Sequence, residues 1–220
     1  MSSQCYDIPM TTKILKITLL WLAAEALVWL PFRLINTYTN VGVGAAYFST
    51  LILITIWMFR SSIAQQLCQT NLKHLALLIA SFGAHIATYW VCHIFLSEPT
   101  SITALNPASY TLVNQYFIWV KPIDALLQQL MLFILVQQLH KNGARLPLIT
   151  TIVTLVFGVA HLYAVQRMEL PYALMLTGAS IVMSLIIPRL LLRVKAGHVY
   201  SYMLHLAFVD VAALFFWAVM

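Results

Sequence analysis

Seven times along its 220 residues this chain runs for about twenty positions with scarcely a charge, and it breaks each run with a short polar or basic turn. A bilayer core about 30 Å thick takes roughly 20 apolar residues of helix. The spacing therefore predicts an all-α polytopic membrane bundle of seven spans, near 14–32, 42–59, 74–96, 118–139, 146–166, 170–192 and 198–219. The fourth span follows two pattern breaks, Asn106-Pro107 and Lys121-Pro122, so a short amphipathic or re-entrant piece is expected around 108–120. Neither an internal repeat nor a separate soluble domain interrupts the series, and residues 1–220 read as one integral membrane domain.

Composition closes the soluble alternative. Apolar residues make up 62% of the chain and charged residues 8%, against about 45–50% and about 25% in ordinary globular proteins. Six acids and twelve bases cannot clothe a water-exposed surface of this size. The expected partner is the lipid bilayer. A formal charge of +6 raises the question of nucleic acid, but the bases stand singly and form no aromatic-laced patch, so nucleic acid is excluded. The bases report topology instead. With seven spans, one face collects Lys13, Lys16, Arg60, Lys73, Lys141, Arg145, Arg189, Arg193 and Lys195, and the other Arg33 and Arg167, with Lys121 near it. That asymmetry places the N-terminus in the cytoplasm and the loop 97–107, with Glu98 and no base, outside. The first run holds Glu25 and lacks a cleavage site, so it reads as a retained span. Cys5, Cys68 and Cys92 have no paired spacing, which indicates neither a disulfide framework nor a cysteine metal site.

Polar groups within spans are costly and commonly face a bundle interior or a cavity. Glu25 sits between Trp21 and Trp29 at i±4. His85 and His93 lie eight residues apart on the third span. The fourth carries Asp124, Gln128 and Gln129, then Gln137 and Gln138. Asp124 and Gln128, at i,i+4, share a face, and each amide needs both donors and acceptors satisfied. His161 lies on the fifth span, and His205 and Asp210 on the seventh. Glutamines binding neighbouring helices together would account for much of this.

One stretch resembles a known family. Leu155-Val156-Phe157-Gly158-Val159-Ala160-His161-Leu162 is similar to the FxxxH motif of the CAAX-protease and bacteriocin-processing (CPBP or Abi) intramembrane glutamic peptidases. Pro171, the small run Thr177-Gly178-Ala179-Ser180 and the segment Tyr200-Ser201-Tyr202-Met203-Leu204-His205 follow in the family's order, so the resemblance covers about 120–215. It implies a bacterial inner-membrane setting and a glutamate pair, in an EExxxR motif, on the preceding helix. Counting back 32 residues from His161 reaches Gln129, so Gln128 and Gln129 hold the glutamate positions and Phe133 the arginine position. Four residues after His205, where the family has Asn or a similar residue, stands Val209, with Asp210 one place late.

The resemblance implies that Gln128, Gln129, His161 and His205 occupy catalytic positions, with Asp124 nearby, and Phe157, Phe133 and Asp210 are expected to contribute to binding, as is Glu25, which lies outside the resembling stretch and approaches from the first span. In the family a glutamate activates water for attack on a peptide carbonyl. An amide cannot take that proton, and losing a general base costs typically 10²–10⁴-fold in rate. Once the carboxylate is gone, a buried guanidinium would be uncompensated, and Phe133 is the better occupant. At about 1.5 Å per residue, Gln129, His205 and His161 fall roughly 15, 12 and 22 Å from the cytoplasmic ends of their spans, within range of one cavity. The leading expectation is a catalytically degenerate protein that binds a membrane partner, a peptide or a lipid-like ligand. An active endopeptidase using Asp124 or Glu25 with His161 and His205 is the alternative. A haem or other cofactor held by His85, His93, His161 and His205 is a third reading; no metal site and no particular cofactor is indicated by spacing.

Overall fold

The computed structural model describes residues 9–34, 40–96, 113–166 and 170–219. These residues are helical, with no strand among them. In chain order the helices are α1 (Met10–Leu34), α2 (Val41–Met58), α3 (Arg60–Leu67), α4 (Leu72–Phe95), α5 (Gln115–Trp119), α6 (Lys121–Lys141), α7 (Leu146–Val153, continued with changed winding to Gln166), α8 (Leu170–Arg193) and α9 (Gly197–Val219). Five of them, α2, α4, α6, α8 and α9, are long and apolar enough to cross a membrane. The chain is an integral membrane protein.

Helix starts follow local chemistry. The Asn40 side chain accepts from the Val43 amide at α2, and Asn71 and His74 cap α4 reciprocally. Asn114 accepts from the Tyr116 and Phe117 amides at α5, the short piece ahead of the fourth long run. Pro122 and Pro147 stand in the first turns of α6 and α7, where a missing N–H costs nothing. Helix α3 was not anticipated from the sequence. The loop 97–107, Cys5 and Arg167 lie outside the described residues. Of the other cysteines, Cys68 is exposed and Cys92 buried, both free.

Helix α6 is the axis of the bundle, packed by α1, α2, α7, α8 and α9. Leu127, Leu132, Leu135 and Leu139 on it are almost wholly buried, with Phe48 of α2, Ile149 of α7 and Ile187 of α8 in the same cluster. A smaller cluster of Cys92, Phe117, Val209 and Trp217 joins α4, α5 and α9.

Two glycines set the packing around the site. After Val153 the chain winds as a π-turn, Thr154–Gly158, and then as a 3-10 helix, Val159–Gln166. A Cβ on Gly158 would lie 2.6 Å from Ser184 Oγ and 3.0 Å from the Ile181 Cα of α8, so only glycine lets the two backbones meet. Between α8 and α9 the turn uses Ala196 at φ 54°, and a Cβ on Gly197 would sit 1.8 Å from the Leu190 carbonyl oxygen. The Ala196 amide donates to Gln69 Oε1, tying this turn to the one between α3 and α4.

Candidate functional site

A cavity of about 280 Å³ opens between α1, α6, α7, α8 and α9. Glu25, Lys121, Gln128, His161 and His205 reach it from four different helices, and Trp21, Trp29, Phe157, Phe208 and Phe216 supply much of its apolar wall. Residues far apart in the chain are thus gathered at one place.

On α6 a step of one residue turns a side chain by about 100°, and the glutamines diverge accordingly. Gln128 faces the cavity and donates to Asp124 Oδ1 at 2.8 Å. The second oxygen of Asp124 accepts from Lys121 Nζ at 2.7 Å, forming an ion pair in which both residues are buried. Asp124 is therefore the anchor beneath Gln128. Gln129 turns towards α9, where its amide nitrogen donates to His205 Nδ1 at 2.7 Å and its oxygen accepts from the Ser201 hydroxyl.

These bonds fix what the histidines can offer. His205 Nδ1 accepts, so its proton is on Nε2, which leaves an N–H donor for the cavity. His161 Nδ1 donates to the Phe157 carbonyl at 2.7 Å, which leaves the Nε2 lone pair of the neutral ring. Phe157 packs between the two imidazoles, with ring centroids 4.9 Å from His161 and 5.9 Å from His205. One histidine presents an acceptor and the other a donor. A group with both functions, such as a peptide amide, matches that pair.

Glu25 enters from α1, its Oε2 accepting from Trp29 Nε1 at 2.8 Å. Trp21 ties the same helix to α6 by donating to the Met131 carbonyl at 2.9 Å. The two indoles flanking Glu25 thus play different parts: one holds the acid, the other holds the helix.

The residues after His205 divide between this cavity and its surroundings. Val209, four residues after His205, lines the cavity. Asp210, one further on, turns to α4, where its Oδ1 lies 2.5 Å from Nδ1 of the fully buried His85. His85 Nε2 donates to the Phe117 carbonyl at 2.9 Å, and the ring stacks on Phe117 with centroids 4.3 Å apart. His93 donates through Nε2 to the Val113 carbonyl at 2.6 Å. Phe133 lines a second cavity, on the α3–α4 side of α6. Among the described residues no group of three or more His, Cys, Asp or Glu is arranged to hold a metal ion.

Two participants escaped sequence reasoning. Lys121 was read as a breaker of the helical pattern, and its i,i+3 spacing from Asp124 was the available signal. Ser201 lay within the quoted motif without an assigned part. In comparisons with family models, curated proteins and solved structures, nothing matches the chain.

Proposed function

We propose that this is a seven-span protein of the bacterial inner membrane, with a cytoplasmic N-terminus, and a degenerate relative of the CPBP peptidases that binds a membrane-buried peptide segment without cutting it. The observation that carries this reading is the commitment of both glutamines. Gln129 is held between Ser201 and His205, and Gln128 is bonded to Asp124, which is itself paired with Lys121. No carboxylate of α6 is therefore poised as a base. Helix α1 and the α7 segment complete seven spans, and the distribution of bases sets the orientation. A volume of about 280 Å³ suits one or two side chains of a partner, with a backbone amide meeting His161 and His205.

The test uses purified chain in detergent and a panel of fluorescent single-span peptides. Saturable binding without products is expected, weakened at least several-fold by Ala160→Trp, which fills the cavity. Glu25 supports a second reading, a divergent endopeptidase, because it is a carboxylate lining the same cavity as His161 and His205. Site-specific cleavage that disappears in both Glu25→Gln and His161→Ala would establish that reading and overturn the first.

A further inference from the structure

The second cavity, on the opposite side of α6, is larger, about 790 Å³, and differently built. Phe82, Leu126, Leu130 and Phe133 are among its apolar walls. Its polar groups include Asn71 and His74, at the start of α4, and His198, at the start of α9. Both ring nitrogens of His198 are buried and, among the described residues, meet no hydrogen-bond partner. A buried polar group in that condition is expensive unless something from outside supplies the bond.

The neighbouring chain is uniformly basic. Residues 60–75 and 189–200 contain Arg60, Lys73, Arg189, Arg193 and Lys195 and not one Asp or Glu. All five cations are exposed, and the bond from the Ala196 amide to Gln69 holds the two segments together. An apolar slot with a basic end of this kind complements a molecule that is anionic at one end and hydrocarbon beyond it. We infer that the second cavity is a binding site for an anionic phospholipid, with acyl chain along Leu126, Leu130 and Phe133 and phosphate at His198, Lys73 and Lys195. The phosphate accepts the hydrogen bond that His198 lacks, and basic pockets between helices at the cytoplasmic face bind such headgroups in general. The inference is independent of what the first cavity binds.

The experiment titrates the purified full chain in detergent with radiolabelled dioleoyl-phosphatidylglycerol or dioleoyl-phosphatidylcholine and counts lipid retained through gel filtration. Phosphatidylglycerol should be retained with roughly tenfold preference, and the surface variant Lys73→Gln/Lys195→Gln should bring it to about the phosphatidylcholine level. His198→Phe should weaken the anionic lipid alone, and Leu130→Trp should reduce both lipids. Equal retention of the two lipids by the unaltered chain would overturn the inference, as would a preference unchanged in both the double-lysine and His198 variants. Full competition by millimolar inorganic phosphate would overturn it as well, because the site would then take an anion without its chains.

Discussion

The two cavities lie on either side of the α6–α9 seam and differ in the opposite sense in size and polarity. The smaller is ringed by five ionisable or amide side chains whose hydrogen bonds fix their direction. The larger has long apolar walls, interrupted by Gln129 and Tyr202, and carries Asn71, His74 and His198 at the starts of α4 and α9. A rigid set of donors and acceptors selects a ligand by geometry, and a roomy apolar slot selects by length and charge. Gln128 and Gln129 are adjacent in sequence, and one helical step puts Gln128 on the first cavity and Gln129 on the second, from where it also holds His205 for the first.

The largest effect should come from removing the anchor of the first cavity. Asp124→Ala takes the carboxylate from buried Lys121 and should cost about 3–5 kcal/mol, read as a lowered unfolding midpoint in detergent, while Lys121→Met/Asp124→Leu should recover most of it. Equal losses in the single and double variants would show that the pair is not the anchor. Next, Gly158→Ala forces a Cβ against Ile181 and should cost about 1–3 kcal/mol. It should impair peptide binding at the first cavity while leaving lipid retention at the second unchanged.

The glutamines sharpen the contrast further. Gln129→Leu strands Ser201 and His205 Nδ1 and should cost about 1–3 kcal/mol, whereas half-buried Gln128→Leu should cost about 1 kcal/mol or less. Identical midpoints for these two variants would contradict the division of labour on α6. A change of similar size to that at Gln128 is expected from Trp29→Phe, which deletes the hydrogen bond to Glu25 and should cost about 0.5–1 kcal/mol. Its signature is confined to the first cavity.

The helix series was legible because lipid imposes one strong rule on length and apolarity. Every expected span has a helix at its place, five of them meeting the length and apolarity of a membrane crossing. The depths of His161, His205 and Gln129 along separate helices pointed to one cavity, and the two histidines share one, but Gln128 rather than Gln129 lines it with them. The partner of His85 could not. Asp210 is 125 residues away, and only the rotation of α9 about its axis decides that it meets α4 rather than His205. For the same reason Phe133 reads from sequence as a lost arginine, and in the fold as a wall of the second cavity. The role of Lys121 was hidden because a lysine beside a proline looks like a loop. Helix α3 was missed because eight residues of mixed polarity carry little periodic signal.

The winding of the α7 segment has a consequence for reach. Eight residues in a 3-10 helix rise about 2.0 Å each rather than 1.5 Å, so Val159–Gln166 extends roughly 16 Å where an α-helix would give roughly 12 Å. The gain is nearly three residues' worth of height. The apolar part of this segment, Leu146–Leu162, is shorter than the five long helices beside it. Drawing out its far end lets a segment with few apolar residues reach further along the bundle than an α-helix of the same length would.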